Sequence, residues 1–368
     1  MKKRIAIVGA STGQLPLCKK AHEMGLETYC FAWPHEAVCK DYVDYFFPIS
    51  IFEMDKIVQY CCKYNIEGVV SNASETTALV VSYVAEQIGK NCTPYESFLK
   101  IQNKEFVRKV TNGLSCLSKV NYKVGKFNEL FSSFPRPYVL KPVKGAAKKG
   151  VNFVDNTVTN LFIPDDLQET VFMAEEYIIG KEYSVESMSY KGCHEVIQIT
   201  EKIGTGAPHF VELEHHQPAI LSIQVEEKIR KAIPVILSSI GFTNGASHTE
   251  IKVDADDNIF LIEVNPRGGG GCISNNLVGL STDYDYLKQL ILVSLDKYHS
   301  VPVHNVAYAG IYFLSAYTSR LIPYFEVSKE KWMVMRERTN DFLTLTHSCS
   351  NYDRDGFILY CSNKKIVI

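Results

Sequence analysis

The residues best suited to chemistry lie on two short β-rich runs, 250–253 and 259–265. Aspartate and asparagine dominate residues 254–258 between them, which predicts a chain reversal. A reversal at this point would place Glu250 almost opposite Glu263. We therefore expect a hairpin on which two carboxylates face each other.

Side chains alternate between the two faces of a strand, so Glu263 and Asn265 should point the same way. Ile262 and Val264 should point into the opposite, apolar layer. Two carboxylates and an amide oxygen suit a hard cation such as Mg²⁺, which completes its octahedron with water and phosphate oxygens. We predict a Mg²⁺ site formed by Glu250, Glu263 and Asn265, for which Mn²⁺ is a compatible substitute.

The hairpin is followed by Pro266, Arg267 and four consecutive glycines, 268–271. Arg267 lies two residues beyond Asn265, close enough to reach a transferring phosphoryl group. An ordinary surface hairpin with solvated acidic residues is the alternative. The arginine and the run of glycines favour a functional site.

These residues resemble the metal-binding end of the ATP-grasp superfamily, and the resemblance extends over the chain to about Asp296. Members of this superfamily clamp a nucleotide between two α+β subdomains. The resemblance implies two phosphate-binding lysines, a small-residue phosphate loop, an adenine hinge and a ribose-binding glutamate. Their counterparts here, in the required order, are Lys104 and Lys141, the loop Gly145 to Gly150, the hinge residues Glu175, Glu176, Tyr177 and Ile178, and Glu182.

The two lysines differ in what the sequence alone says about them. Lys141 lies in an apolar run before Pro142, where an unpaired ammonium group would be costly. Lys104 taken alone is compatible with a solvated surface residue. In the loop, residues 146–149 are Ala-Ala-Lys-Lys, where the family often has glycine and hydroxyl residues. Small residues let backbone N–H groups approach phosphate, but the contacts of this loop stay open.

Residues 209–219 are similar to a segment of amino-acid ligases in this superfamily, which implies that Glu212 and His215 face an acyl-donor pocket. His215 could orient or deprotonate an incoming group, because imidazole titrates near neutrality. A structural histidine is the alternative. Adjacent His215 and His216 could also suggest zinc, but they lack the spacing that puts two ligands on one face.

Residues 1–100 alternate between apolar strands and amphipathic helices, which predicts a parallel, doubly wound sheet. The predicted elements are a strand at 5–9, a helix at 14–24, a strand at 27–31, a helix at 52–64, a strand at 68–70 and a helix at 76–89. Residues 9–13 lack the third glycine of a dinucleotide motif, which disfavours an NAD-dependent oxidoreductase. Ligands collect beyond the carboxyl ends of such strands, so Glu75 could line a substrate pocket or simply start a helix.

The predicted fold class combines α/β and α+β parts. A doubly wound N-terminal sheet precedes a two-subdomain ATP-grasp clamp and a small β-rich C-terminal segment. The predicted divisions are residues 1–100, residues 101–172 with the lysines and phosphate loop, residues 173–300 with the hinge and metal hairpin, and residues 301–368.

Composition excludes several classes of protein. The 368 residues are 46% apolar and 22% charged, with a net charge of −2, so no basic surface for nucleic acid is indicated. We expect no signal peptide and no membrane span, and therefore a cytoplasmic protein. The eleven cysteines are scattered without paired motifs, which is typical of reduced thiols.

The resemblance implies an ATP- and Mg²⁺-dependent, ADP-forming ligase that joins a small-molecule carboxylate to an amine through an acyl phosphate. Lys141 and Arg267 would be catalytic, and the substrate residues would be Glu75, Glu212, His215, Arg267, Gly269 and Gly270. The alternatives are a bicarbonate-using enzyme like carbamoyl-phosphate synthase or biotin carboxylase, and a nucleotide-binding regulatory protein without turnover. The substrates and the oligomeric state stay open, with a homodimer as one option.

Overall fold

The computed structural model describes residues 2–72, 74–145, 149–339, 345–348, 350–351 and 353–368. The strands form three sheets of four, eight and four strands. Within these described ranges, no helix is both long and apolar enough to cross a membrane. The cytoplasmic location stays a prediction.

The N-terminal sheet is parallel, with strand order β3-β2-β1-β4. Ile5 and Ile7 pack on one face against α1 and the later helix α9, and Ala6 and Val8 pack on the other against α2 and α3. Helices on both faces confirm the predicted doubly wound sheet. The elements are β1 (Arg4–Val8), α1 (Leu15–Glu23), β2 (Glu27–Phe31), β3 (Tyr45–Phe47), α2 (Met54–Lys63), β4 (Gly68–Val70), α3 (Glu75–Gln87) and α4 (Tyr95–Ile101).

A second four-stranded sheet carries the predicted phosphate-binding residues, with order β5-β8-β6-β7 and antiparallel pairing. Leu130, Tyr138, Leu140 and Phe172 form its apolar core. Its elements are α5 (Lys104–Thr111), which precedes the sheet, then β5 (Tyr122–Gly125), α6 (Phe127–Ser133), β6 (Tyr138–Pro142), β7 (Asn152–Val154) and β8 (Phe172–Glu176).

The eight-stranded sheet has the order β13-β12-β9-β10-β11-β14-β16-β15. Ser222 and Asp285 begin α7 and α9, because each side chain accepts a hydrogen bond from a first-turn amide. The elements are β9 (Lys181–Tyr190), β10 (Cys193–Gly204), β11 (Glu212–Gln217), α7 (Ile223–Ser239), β12 (Gly245–Val253), β13 (Ile259–Asn265), α8 (Val278–Ser281), α9 (Tyr286–Ser294), β14 (Tyr308–Leu314), α10 (Pro323–Glu326), β15 (Met333–Arg338) and β16 (Gly356–Ser362).

The β-rich character of the C-terminal segment is confirmed, and its strands β14, β15 and β16 extend the large sheet beside β11. The sequence Thr344-Leu-Thr-His predicts a further strand, but none forms in residues 345–347, and Thr344 lies outside the described residues. The predicted division after residue 100 falls in the last turn of α4, and that after residue 172 falls at the first residue of β8. The four divisions stay predictions.

Candidate active site

The hairpin that carries the predicted metal ligands forms as expected between β12 and β13. The carboxylate of Asp254 accepts hydrogen bonds from the backbone amides of Asp256 and Asn258, both at 2.9 Å, which closes the turn. The strand register pairs Glu250 with Glu263. The chain reversal and the opposed glutamates are therefore confirmed.

A β-bulge changes the expected alternation in this hairpin. The register shifts after Glu250, because Ile251 pairs with Leu261 and leaves Ile262 as an extra residue. Leu261 and Val264 both lie in the apolar core, while Ile262 is only half-buried. The prediction for Val264 is confirmed and that for Ile262 is wrong, because one inserted residue reverses the alternation.

Lys104 lies between the phosphate loop and the metal hairpin. The side chain of Asn103 accepts a hydrogen bond from the amide of Phe106 at 3.1 Å, so α5 begins at Lys104. The Nζ of Lys104 donates to the carbonyl of Gly145 at 2.7 Å and lies 3.1 Å from Oε1 of Glu263. The first lysine is therefore held beside a predicted metal ligand.

The phosphate loop is described only at its ends, since residues 146–148 lie outside the described residues. Gly150 has a positive φ of 74°, and a Cβ there would lie 2.6 Å from Leu167 Cδ1, so this position requires glycine. Lys149 pairs with Asp166. Contacts between the loop and phosphate stay a prediction.

Lys141 shares a buried carboxylate with an arginine that the sequence analysis did not select. Glu175 on β8 pairs with Lys141 through Oε2 and with Nε of Arg108 through Oε1, the latter at 2.5 Å. Burial disfavours a charged carboxyl group, but Lys141 and Arg108 outweigh it and hold the pKa of Glu175 below its ordinary value. The Glu175 side chain thus neutralises two cations beside the hinge.

The hinge residues after Glu175 already have partners within the protein. Glu176 accepts from the backbone amide and the side-chain amide of Asn121, both at 2.8 Å. The carbonyl of Ile178 accepts from Nζ of Lys252 at 3.0 Å, and this ammonium group lies 4.8 Å from the centre of the Tyr177 ring. The role of the hinge in reading adenine stays a prediction.

A buried lysine, Lys202 on β10, connects three of the predicted site residues. Its Nζ lies 2.7 Å from Glu250, 2.9 Å from Glu212 and 3.2 Å from Glu182. Burial opposes the charge, but the three carboxylates raise the pKa of Lys202 well above its ordinary value. The predicted metal, substrate and ribose residues therefore meet around one cation.

On the far side of Lys202, Glu212 and His215 face a residue of the C-terminal segment. Nη2 of Arg354 lies 3.4 Å from Oε2 of Glu212, and its guanidinium group stacks 3.4 Å from the centre of the Phe313 ring. His215 is 1% exposed, and burial lowers its pKa, so the imidazole is neutral near pH 7. Its Nε2 is 3.5 Å from Glu212, while Nδ1 lies 3.3 Å from the carbonyl of Gly271.

Helix α3 of the N-terminal part of the chain contributes Glu75 to a cleft beside Lys104 and Lys141. Glu75 is the first residue of α3, as the helix-start alternative expects, and it also lines this cleft. Its contact with a substrate stays a prediction. Burial raises the pKa of Glu75, and the charge of Glu263 raises it further, while Arg267 opposes the shift. The other charged residues lining the cleft are Lys104, Arg108, Lys141, Glu175 and Glu263.

The glycine segment after Arg267 folds back on the hairpin. Nη1 of Arg267 donates to the carbonyl of Gly268 at 2.8 Å. The amide of Gly269 donates to Glu186 at 3.0 Å, and its carbonyl accepts from Ser274 at 2.8 Å. A Cβ on Gly270 would meet no atom within 4 Å, so the backbone of Gly270 faces open space.

A family profile described as the ATP-grasp domain matches residues 156–276. The L-amino acid ligase from Bacillus licheniformis superimposes with a TM-score of 0.78 at 22% identity, covering 99% of this chain and 94% of that one. Residues 156–276 of this chain therefore match the ATP-grasp domain family. The predicted family and fold class are confirmed.

Two further proteins are similar to this chain. The alanine–anticapsin ligase of Bacillus subtilis (strain 168) is 24% identical over 246 residues, which are 59% of this chain and 52% of that protein. The match thus spans about half the length of this curated relative. The biotin carboxylase domain dimer of 2-oxoglutarate carboxylase from Hydrogenobacter thermophilus, determined with MgADP and bicarbonate, has a TM-score of 0.72 at 14% identity, covering 99% of this chain and 87% of that one.

The donor set on the ATP-grasp hairpin fits a hard cation. Glu250 uses Oε1 for both Lys202 and His248, and Glu263 uses Oε1 for Lys104. Oxygen donors with several places left for phosphate and water are what Mg²⁺ requires. No group of three or more His, Cys, Asp or Glu side chains in the described ranges is arranged to hold a metal ion. The carboxylates of Glu250 and Glu263 are oxygen donors of the kind that Mg²⁺ combines with phosphate oxygens and water.

The zinc alternative is not supported by the two adjacent histidines. His216 bonds to Glu214 and to the hydroxyl of Tyr360, both at 2.9 Å. His215 contacts Glu212 and packs edge-on against Phe313 instead. The two imidazoles therefore contact different side chains and do not converge on one point.

Five buried or half-buried residues of this ATP-grasp site escaped the sequence analysis: Arg108, Glu186, Lys202, His248 and Arg354. One signal was present in β12, where His248, Glu250 and Lys252 alternate with apolar or small residues. This alternation is also the ordinary pattern of a strand with one solvated face, so it did not by itself indicate that His248 is buried. No local pattern marked Arg354, because its partner Glu212 lies far away in the chain.

Proposed function

We propose that this chain is an ATP-dependent, ADP-forming ligase that joins the carboxylate of an amino acid or similar metabolite to an amine. The observation that carries the proposal is a set of three lysine–glutamate pairs among the predicted site residues and their neighbours. Lys104 faces Glu263, Lys141 faces Glu175 and Lys202 faces Glu250. Such a site can exchange its internal partners for phosphate oxygens and a divalent cation.

In this function the lysines and Arg267 hold the phosphate chain, and Glu182 accepts from the ribose hydroxyls. Glu250, Glu263 and Asn265 hold Mg²⁺, which supplies charge neutralisation of the phosphate oxygens when bound. Lys141 is suited to this role because its side chain is already largely removed from solvent. Charge stabilisation by preplaced groups in a dry site is the largest contribution proteins make to such reactions.

The reaction has two steps. A carboxylate oxygen of the first substrate attacks the γ-phosphorus, the bond to the β,γ-bridging oxygen breaks, and ADP leaves. The amine nitrogen of the second substrate then attacks the acyl carbon, and the carbon–oxygen bond to phosphate breaks. Burial lowers the pKa of His215 and keeps the imidazole neutral, so it is available to accept the proton released by nitrogen. Glu212, 3.5 Å from Nε2, would stabilise the imidazolium that forms.

The substrates would lie between the glycine segment, Glu75 and the group formed by Glu212, His215 and Arg354. Glu212 offers a carboxylate to an ammonium group, and Arg354 offers a guanidinium group to a carboxylate. A site with both charges suits a zwitterionic amino acid. The names of the amino-acid ligases among the relatives support this substrate class.

The test is phosphate release from MgATP in the presence of pooled amino acids or bicarbonate, with products identified by mass. Glu263→Ala removes a proposed metal ligand, and Glu226→Gln on the outer helix α7 is the matched carboxylate control. We expect amino-acid-dependent release and a condensed product in the wild type and control, with at least a hundredfold loss in Glu263→Ala.

Three other outcomes would contradict the proposed ligase activity. Bicarbonate-dependent release without amino-acid stimulation would make the chain a carboxyphosphate-forming enzyme. ATP binding without release under any pool would make it a nucleotide-binding regulatory protein. Release that is equal in wild type and Glu263→Ala would remove the hairpin from the mechanism.

A further inference from the structure

A buried carboxylate–imidazole pair joins the metal hairpin to the neighbouring strand β9 and is not used in the proposed reaction. Oε1 of Glu186 on β9 lies 2.5 Å from Nδ1 of His248 on β12. Glu186 is 0% and His248 is 3% exposed. The register pairs the two residues directly across the neighbouring strands.

This pair touches two parts of the candidate active site. Nε2 of His248 lies 3.2 Å from Oε1 of Glu250, the proposed metal ligand two residues along the same strand. Oε2 of Glu186 accepts the backbone amide of Gly269 at 3.0 Å. The pair therefore connects the metal hairpin with the glycine segment that follows Arg267.

The packing around the pair leaves little freedom. A Cβ on Gly269 would lie 2.8 Å from Oε1 of Glu186 and 2.8 Å from Nδ1 of His248. On its other side, β12 pairs His248 with Asn265, another proposed metal ligand. His248 is thus flanked by Glu186 and Asn265 across the sheet and by Glu250 along the strand.

We propose that Glu186 and His248 are positioning residues that fix Glu250 for metal binding and hold the glycine segment in register with it. The proposal rests on the proposed function, because it takes Glu250 as a metal ligand. His248 and Lys202 both contact Oε1 of Glu250. These two contacts fix the orientation of the carboxylate and therefore the position of its second oxygen, Oε2. Residues that orient metal ligands typically change metal affinity about 10- to 100-fold when removed.

The chain offers a matched control in a second buried carboxylate–imidazole pair. His216 lies 2.9 Å from Glu214 and, like His248, is nearly inaccessible to solvent. It also bonds to Tyr360. Among the described residues, it forms no hydrogen bond or ion pair with Glu250 or with the glycine segment. Loss of either pair should lower stability, but only loss of Glu186–His248 should change metal binding.

Two substitutions separate the two contacts of His248. His248→Asn places an amide where Nδ1 was and keeps the contact with Glu186 alone, while His248→Gln reaches toward Glu250. The assay is Mn²⁺ binding by electron paramagnetic resonance in the presence of ADP, which requires no turnover. We expect affinity to fall at least tenfold in His248→Asn, less in His248→Gln, and less than twofold in the control His216→Gln.

Thermal unfolding of each variant shows which of them are folded. If His248→Asn does not fold, Glu186→Gln takes its place, because it keeps the shape and removes only the charge, and we expect at least threefold weaker Mn²⁺ binding. A folded His248→Asn or Glu186→Gln that binds Mn²⁺ as wild type overturns the inference. The variant Glu263→Ala distinguishes failure of the proposed function from failure of the positioning role. If Glu263→Ala binds Mn²⁺ as wild type does, the proposed function fails. If Glu263→Ala loses Mn²⁺ binding while His248→Asn keeps it, only the positioning role fails.

Discussion

Replacing Glu175 with glutamine removes an anion that two buried cations share. The side chains of Glu175, Arg108 and Lys141 are 7%, 4% and 10% exposed. Removing one partner of a buried ion pair typically costs about 3–5 kcal/mol, because the remaining charge has no compensation. Glutamine keeps the volume and one acceptor, so we expect the free energy of unfolding to fall by about 3 kcal/mol, at the lower end of that range.

The loss of unfolding free energy in Glu175→Gln should depend on ATP and on pH. A phosphate beside Lys141 would replace the missing anion, so ATP should raise the melting temperature of Glu175→Gln more than that of wild type. Burial disfavours the charged form of Glu175, but its two cations hold its pKa below the ordinary value. The ionised group therefore stabilises the fold above its unfolded pKa of about 4.3, and this contribution is lost as pH falls through the folded pKa. The difference between wild type and variant should shrink below about pH 4.

Urea unfolding at pH 7, followed by circular dichroism, measures the effect. Glu176→Gln is the matched control, since its neighbour Asn121 is exposed and the expected loss is about 1 kcal/mol or less. A Glu175→Gln protein within about 1 kcal/mol of wild type would mean that Glu175 does not compensate the two cations.

Three further changes test other parts of the site. Lys202→Met leaves three carboxylates without their shared cation. We expect the free energy of unfolding, measured in urea, to fall by about 3 kcal/mol and Mg²⁺ to restore part of this loss. Arg354→Gln removes a charged contact with Glu212, and steady-state kinetics should show roughly a tenfold higher KM for the amino-acid substrate, about 1.4 kcal/mol, with the KM for ATP unchanged. Gly310→Ala places a Cβ 2.7 Å from the carbonyl of His215 and against Tyr360, and should lower the unfolding free energy by about 1–3 kcal/mol.

The parts of the fold that were predictable from sequence are those fixed by short-range patterns. The strands 27–31 and 68–70 occur as predicted, since runs of apolar residues bounded by turns define them locally. The metal hairpin is also local, because an aspartate-rich turn and two β-rich runs determine its register. Lys141 was predicted to need a partner because an unpaired ammonium group in an apolar strand is costly.

The partners themselves could not be predicted, because they depend on the order of strands in the sheets. Lys202 reaches Glu250 only because β9 lies between β10 and β12 in the large sheet. His248 reaches Glu186 for the same reason. Arg354 meets Glu212 because the C-terminal strands join the sheet beside β11, whereas the sequence indicated only that the segment was β-rich.

The sheet order also explains why so many charges can be buried together. Lys104, Lys141 and Lys202 each lie next to a glutamate from another element. The attraction within each pair offsets the free-energy cost of removing both charges from water. A polyphosphate and a divalent cation would enter as opposite charges, the phosphate taking the lysines and the cation taking the glutamates. The number of opposite-charge contacts is then kept while the internal pairs separate. A site arranged in this way favours the two ligands together over either one alone, because one ligand would leave half of the former pairs uncompensated.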